Sequence, residues 1–518
     1  MQAESVTRPS LASPLAPVAW GALMPIAVVT LVVHLVALNQ YGFFRDELYY
    51  LANTAHLGWG HVDHPPFSVW MLALATQLFG DGLPVMRSMA MVTGLGAIVM
   101  SALIARELGG TAAAQALAAL GVAASPVNRV VGHLYSMNGW DVLLWGVAIW
   151  LWLRIGRIEG RALGWWAALG FVLGLALLNK LSALWLVMAL LLATLGTARR
   201  VDFKSPGVYL AAALSGVMFA PHVLWQFENN FITLEFVRNA ATEKLLPVPP
   251  HQFVLVQAVV TNPMAVMMWA TGLIAAWRRP EWRGLAIAFT AVALLLMLSM
   301  RSRENYLTPA YAFVLPLGAL VLSDWFASRP GLRNAYVAAL SLVGLLMASL
   351  ALPVLPVQTL ASISRAAGFS PPASEAGKRN DIQGMADMFG WPEMAETAAE
   401  VWQTLPPEER ARTPILGTNY GQSSAVWRFW PREAGPRPLI LGRHNDWWRI
   451  GPQGWDGGTV VVIGETREDL RAMFTEWREV RRMNTEWTVE EEATAPIAIA
   501  RGLKVPVSEF WAAARLIR

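Results

Sequence analysis

The sequence predicts a mainly α protein, a polytopic transmembrane helix bundle of about eleven spans with a small C-terminal α/β domain. Three observations carry that prediction. Hydrophobic residues make up 55% of the 518, charged residues only 15%, and the mean hydropathy is +0.41, which is too apolar for a soluble chain of this size. Apolar segments recur through the first two thirds of the chain. After about residue 356 the composition turns to Pro, Gly, Trp and charge.

Residues 1–16 are polar and contain proline, and they read as a disordered cytoplasmic tail. The apolar segments follow at 17–40, 84–105, 111–126, 139–153, 163–179, 181–198, 207–225, 254–277, 284–300, 308–327 and 332–355. A hydrocarbon core about 30 Å thick takes roughly 20 helical residues, so the third and fourth are short for it. The first run is full length and lacks a small-residue cleavage pattern, so it reads as a retained span. Thirteen Lys and Arg fall on the side shared with the N-terminus and eight on the other, which sets an inside N-terminus. The acids and histidines gather on the opposite, extracytoplasmic face.

An odd span count places the domain at 357–518 outside. Strand-like runs at 438–442 and 459–464 alternate with helix-like stretches at 387–405 and 467–482, the pattern of a small α/β unit. The 518 residues include no cysteine, which excludes disulfide and thiol chemistry. The basic pI of about 9.4 comes from loop arginines read as topology signals, so no nucleic-acid partner is expected.

Membrane burial does not explain the first outer loop, 41–83. Its stretch YGFFRDELYYLANTAHLGWGHVDHPP crowds Arg45, Asp46, Glu47, His56, His61, Asp63 and His64 together. Asp46 and Glu47 open a short helix whose Leu48, Leu51, Ala52 and Ala55 form an apolar stripe expected to lie along the membrane surface. Backbone N–H groups at that helix start favour an ionised carboxylate, as a general base requires; the alternative is a pair of acids that only cap the helix. Asp63 and His64 have a spacing suited to a divalent metal or a phosphate, or they belong to a solvated loop. Asp141 stands before an apolar helix as a cap or a functional acid. Lys180 either snorkels to the interface or meets a lipid phosphate. Arg301, Arg303, Asn305 and Tyr306 form another outer polar cluster, a plain loop or an anion site. No P-loop, GxGxxG, HExxH or nucleophile elbow occurs, so nothing supports nucleotide hydrolysis or zincin chemistry.

These residues carry a family resemblance. FFRDELYYLANTAHLGWGHVDHPPFSVWMLALATQLFG followed by MRSMAMVTGLG resembles family 39 glycosyltransferases of the GT-C superfamily. That group includes protein O-mannosyltransferases and the transferases that place aminoarabinose or galacturonic acid on lipid A or core. YSMNGWDVLLW, the pair Asn179 and Lys180, PHVLWQFENNF and ENYLTPAYAF extend the likeness over roughly residues 20–350, and TNYGQSSAVWRFW and GRHNDWWRIGP into the last third.

The resemblance implies that Asp46 is the catalytic acid with Glu47 its partner, and that Asp141 works near donor or acceptor. His64 stands where aminoarabinose transferases have Lys before Pro-Pro, which makes Lys180 the better candidate for the donor phosphate, with His64, Arg301, Arg303 and Tyr306 as further candidates. Its implied activity is inverting transfer of a hexosyl or pentosyl group from a polyprenyl-phosphate donor to an envelope acceptor at the outer membrane face. Membrane lipid is the other expected partner. No cofactor is fixed; a divalent metal on Asp63 and His64 stays open. A lipid-sugar flippase is the alternative, but charged residues inside the spans, which would favour it, are almost lacking. An accessory subunit is another.

Overall fold

The structure is a computed structural model that describes residues 14–158, 162–366 and 382–518. Of the expected tail 1–16, residues 1–13 lie outside the described residues.

Each of the eleven apolar segments has a helical counterpart. Six are single helices long enough to span: Trp20–Ala37, Leu83–Glu107, Met137–Arg157, Pro206–Glu228, Thr308–Phe326 and Pro330–Ala351. Met137–Arg157 corrects the short 139–153 reading, because Ser136 caps it before the apolar run begins and it continues through Arg154 and Arg157. Two more are bent pairs, Ala183–Leu195 with Ala198–Lys204 (105°) and Pro250–Val260 with Pro263–Arg278 (103°). Three others, Ala112–Ala123, Leu163–Asn179 and Arg283–Ser299, are shorter apolar helices.

The continuous span expected at 254–277 is therefore broken, and Asn262 is the cause. It takes a positive φ of 82°. Its Oδ1 accepts the Met264 N–H at 2.9 Å, and its Nδ2 donates to the carbonyls of Ala124 and Leu340, both at 3.2 Å. Pro263 then supplies no N–H to continue the first helix. The bundle's core holds Trp152, Trp166, Tyr311 and Phe313, while Trp20–Ala37 and Pro330–Ala351 keep most of their surface outward.

The outer loop holds two helices. Phe67–Phe79 is apolar and packs on Leu83–Glu107 and Leu163–Asn179. Arg45–Asn53 is the expected short helix, but it does not lie on a surface. Residues 47–53 are all buried, since Leu48, Tyr49 and Leu51 share one core with Trp391, Ile415 and Val461 of the last third.

That last third contains five strands: β1 Ile415–Gly417, β2 Ile440–Gly442, β3 Val460–Ile463, β4 Phe474–Arg482 and β5 Pro496–Leu503. Their order is β2-β1-β3-β5-β4, with β1 parallel to β2 and β3 and the other pairs antiparallel. The strand-like runs 438–442 and 459–464 contain β2 and β3. Helix Trp391–Gln403 starts after Gly390, whose φ of 87° ends the preceding turn.

The helix-like reading of 467–482 is corrected: only Glu468–Ala472 is helical, and β4 follows. Phe474, Trp477 and Val480 are the less exposed positions of an edge strand with an irregularity between Glu479 and Arg481, and their i, i+3 spacing imitates a helix. Helix Tyr420–Phe429 follows β1 and packs against Arg45–Asn53. Gly421 permits that approach, since a Cβ there would sit 2.8 Å from the Arg45 side chain and 2.9 Å from the Trp391 ring.

Candidate active site

Asp46 sits in the first turn of Arg45–Asn53 and accepts a hydrogen bond from the Tyr420 hydroxyl at 2.7 Å. Burial opposes its charge, but Lys244 and Arg45, the Tyr420 bond and Arg303 outweigh burial and hold the carboxyl below its ordinary value. Asp46 is thus a carboxylate among three cations. Burial first, then Arg303 and Arg45, pushes the Lys244 ammonium down to about 7, against the pull of Asp46. Arg301 donates to the Leu245 carbonyl and fixes the turn carrying Lys244. A cleft with about 780 Å³ of open space is lined by Arg45, Lys244, Tyr420, Arg443, His444 and Glu491 among others.

Glu47 points the other way, 0% exposed. Its Oε2 accepts the Phe44 N–H at 2.9 Å, its Oε1 the Tyr135 N–H at 3.1 Å, and Arg87 lies 3.7 Å away. Burial raises its carboxyl above the ordinary value despite Arg87 and those donors. Arg87 also donates to the carbonyls of Leu38, Gln40 and Gly42 at 3.1, 2.9 and 2.7 Å, tying the first span to the loop.

Asp141 is fully buried inside its helix, where the cap is Ser136. Its Oδ2 accepts from Ser182 at 2.9 Å and lies 3.4 Å from Lys180 Nζ. Lys180 also donates to Asn138 Oδ1 at 2.8 Å, and its Nζ stands 5.9 Å from the Tyr306 ring centre. Three expected residues, Asp141, Lys180 and Tyr306, therefore form one cluster. Tyr50, from the Asp46 helix, accepts the Met137 N–H at 3.1 Å, and Asn179 donates to the Met137 carbonyl at 2.9 Å, which links this cluster to that helix.

His64 donates from Nδ1 to the Pro65 carbonyl at 2.8 Å and stacks on Tyr50 at 4.6 Å. Burial pushes it below its ordinary value, so it is neutral. Its Nε2 is 3.9 Å from Asp63 Oδ1, which already accepts from the Tyr49 hydroxyl at 3.1 Å. Among the described residues no three His, Asp or Glu side chains converge as a metal ligand set.

Sequence reasoning missed three residues. Lys244 was one outer cation among several, and Tyr420 lay inside a quoted motif without an assigned part. Asp446 takes the His61 Nδ1–H at 2.9 Å, a hydrogen bond from Tyr49 at 3.1 Å and Arg449 at 2.6 Å, and so binds the loop to the last third. Burial opposes its charge, but His61 and Arg449 hold it far below the carboxylate range.

Fold and site together define a membrane-embedded helical bundle of the GT-C type with a C-terminal α/β domain closed over a charged cleft. Residues 63–225 match the family described as dolichyl-phosphate-mannose-protein mannosyltransferase. The lipid A galacturonosyltransferase of Rhizobium johnstonii is 23% identical over 298 residues, 55% of this chain and 60% of that protein. The undecaprenyl phosphate-alpha-4-amino-4-deoxy-L-arabinose arabinosyl transferase of Pseudomonas aeruginosa is 29% identical over 299 residues, 54% of this chain and 52% of that protein. The chain spans between half and two thirds of these relatives' length.

Crystal structures of ArnT from Cupriavidus metallidurans, apo and bound to undecaprenyl phosphate, superpose with TM-scores of 0.63 and 0.62 at 16% identity, covering 93% of this chain and 98% of that one. The chain thus has the GT-C fold of ArnT, and its resemblance to family 39 glycosyltransferases is shown at the level of sequence.

Proposed function

We propose that the protein is an inverting glycosyltransferase that moves a sugar from a polyprenyl-phosphate donor to a hydroxyl of an envelope acceptor. The observation that carries this reading is Asp46, a carboxylate held beside Lys244 and Arg303 and hydrogen-bonded by Tyr420. Asp46 takes the proton of the acceptor hydroxyl, the oxygen bonds to C1 of the sugar, and the C1–O bond to the phosphate breaks. One displacement inverts the anomeric centre. The leaving phosphate gains negative charge, which Lys244 and Arg303 stabilise. Similarity to an undecaprenyl phosphate-alpha-4-amino-4-deoxy-L-arabinose arabinosyl transferase supports a donor of this kind.

A carboxylate held below its ordinary pKa is a weaker base, and donor binding corrects this. The donor phosphate offsets the cations that depress Asp46, so its basicity rises when the donor is bound. General-base help is typically worth 10² to 10⁴-fold, with the rest from positioning and phosphate electrostatics.

Glu47, with both oxygens engaged by the backbone, positions Asp46 by fixing the start of its helix. Lys180, braced by Asp141 and Asn138, and Tyr306 line the approach of the donor phosphate. The bias of loop Lys and Arg toward the N-terminal side supports an inside N-terminus, with the α/β domain and this site on the extracytoplasmic side.

The test is release of polyprenyl phosphate from a panel of lipid-phosphate sugars by the protein in nanodiscs, with envelope extract as acceptor. Acceptor-dependent release from one donor, absent in Asp46→Asn, is the expected result. Release undiminished in that variant removes Asp46 from the mechanism.

A further inference from the structure

The chain leaves β1 on one side to build β2 and on the other to build β3, all three parallel. In open α/β sheets the crevice outside the carboxyl ends of the strands, at such a switch point, is where ligands bind. Here the residues just beyond those ends are Asn419 and Tyr420 after β1, Arg443 and His444 after β2, and Glu465 after β3, and all five line the cleft shared with Arg45 and Lys244. The crevice of the outer sheet and the cleft of the bundle are one space.

The polar groups of this wall are unequally satisfied. Glu465 pairs with Arg471 at 3.0 Å and Arg482 at 3.3 Å, and Glu491 takes a hydrogen bond from Asn419 at 3.4 Å. Arg443 has no ion pair among the described residues, and its buried Nε has no hydrogen-bond partner. Burial lowers its guanidinium to about 10, which leaves it a cation at neutral pH. His444, 6% exposed, bonds through Nε2 to the Arg518 carbonyl at 2.9 Å and leaves its Nδ1 without a partner. A guanidinium that lacks an acceptor beside an imidazole nitrogen that lacks a donor suits a ligand with both an anionic group and hydroxyls.

We propose that the carboxyl-end crevice is the acceptor subsite and binds a saccharide carrying a phosphate or carboxylate, with Arg443 holding that anion in the cleft it shares with Arg45, Lys244 and Tyr420. The assignment of the ligand as acceptor rests on the transferase reading; the anion site itself does not.

Titration of the full chain in zwitterionic nanodiscs with glucose 6-phosphate, glucuronate and glucose tests it. The two anions are expected to bind at least about tenfold more tightly than glucose, as a charged guanidinium contact implies. Arg443→Ala should erase that difference and Arg443→Lys restore part of it, while both keep wild-type affinity for polyprenyl phosphate, which also reports folding. If Arg443→Ala fails that folding control, Arg443→Gln replaces it. Equal binding of the three probes by the wild type, or anion binding unchanged without Arg443, overturns the proposal. Displacement of the probes by phosphatidylglycerol added to the discs would identify a lipid headgroup as the anion's source, and no displacement a free saccharide; the site stands in either case. Anion binding lost with Arg443 while no donor releases polyprenyl phosphate would sink the transferase reading and leave the site. Release with an acceptor KM unchanged in Arg443→Ala would do the reverse.

Discussion

The Tyr420 hydroxyl of the outer domain donates to the Asp46 carboxylate of the first loop at 2.7 Å, across 374 residues of sequence. Removing the bond should raise the Asp46 pKa, because the hydroxyl helps to hold the carboxyl low. Asp46 then becomes a stronger base once ionised, so Tyr420→Phe should lower kcat/KM chiefly at acidic pH, where less of the carboxyl is ionised. Asp46 is ionised above its pKa, so the acidic limb of the pH–rate profile should move to higher pH. Polyprenyl phosphate release across pH measures both effects.

Lys244, pushed down to about 7, loses its charge as pH rises through that value. Since kcat/KM reports the free enzyme, it should fall on the alkaline side of about pH 7 in the wild type. Lys244→Arg keeps the cation and should flatten that limb. An alkaline limb identical in the variant would exclude Lys244 as its source.

Glu47→Ala leaves Arg87 facing only backbone carbonyls and frees the Phe44 and Tyr135 N–H groups. Breaking a buried pair by removing one partner costs about 3 to 5 kcal/mol. Thermal unfolding in detergent should show a marked loss, while Asp46→Asn unfolds near the wild-type temperature despite its lost activity.

Asp141 and Lys180 should behave as a unit. Lys180→Met strands a buried carboxylate, whereas the double variant with Asp141→Asn does not. A double-mutant cycle on stability should give a coupling of about 1 kcal/mol or more, and additive losses would show that the pair does not interact.

Much of this was legible in one dimension. The span segments follow from apolar runs, because each lipid-facing helix must cover its own backbone with apolar residues. The strands β2 and β3 were visible as short β-branched runs, and the Asp-Glu pair marked the loop as a site. Period misled where an edge strand spaced Phe474, Trp477 and Val480 like a helix, and where a single Asn262 with its proline broke an apolar run that looks continuous.

The sequence by itself determined that this is a polytopic membrane protein with its polar residues gathered in particular loops, because burial in lipid is set by composition along the chain. Tertiary structure alone decided how that chemistry is divided. Adjacent helical residues point about 100° apart, so Asp46 meets Tyr420 and the cations while Glu47 enters the core, a choice made by what packs on each side. Only folding brings Lys244, Arg303 and Tyr420 around Asp46, since contacts across hundreds of residues leave no local period to read. The short helix was expected at the membrane surface; it lies buried because the outer domain shares its core.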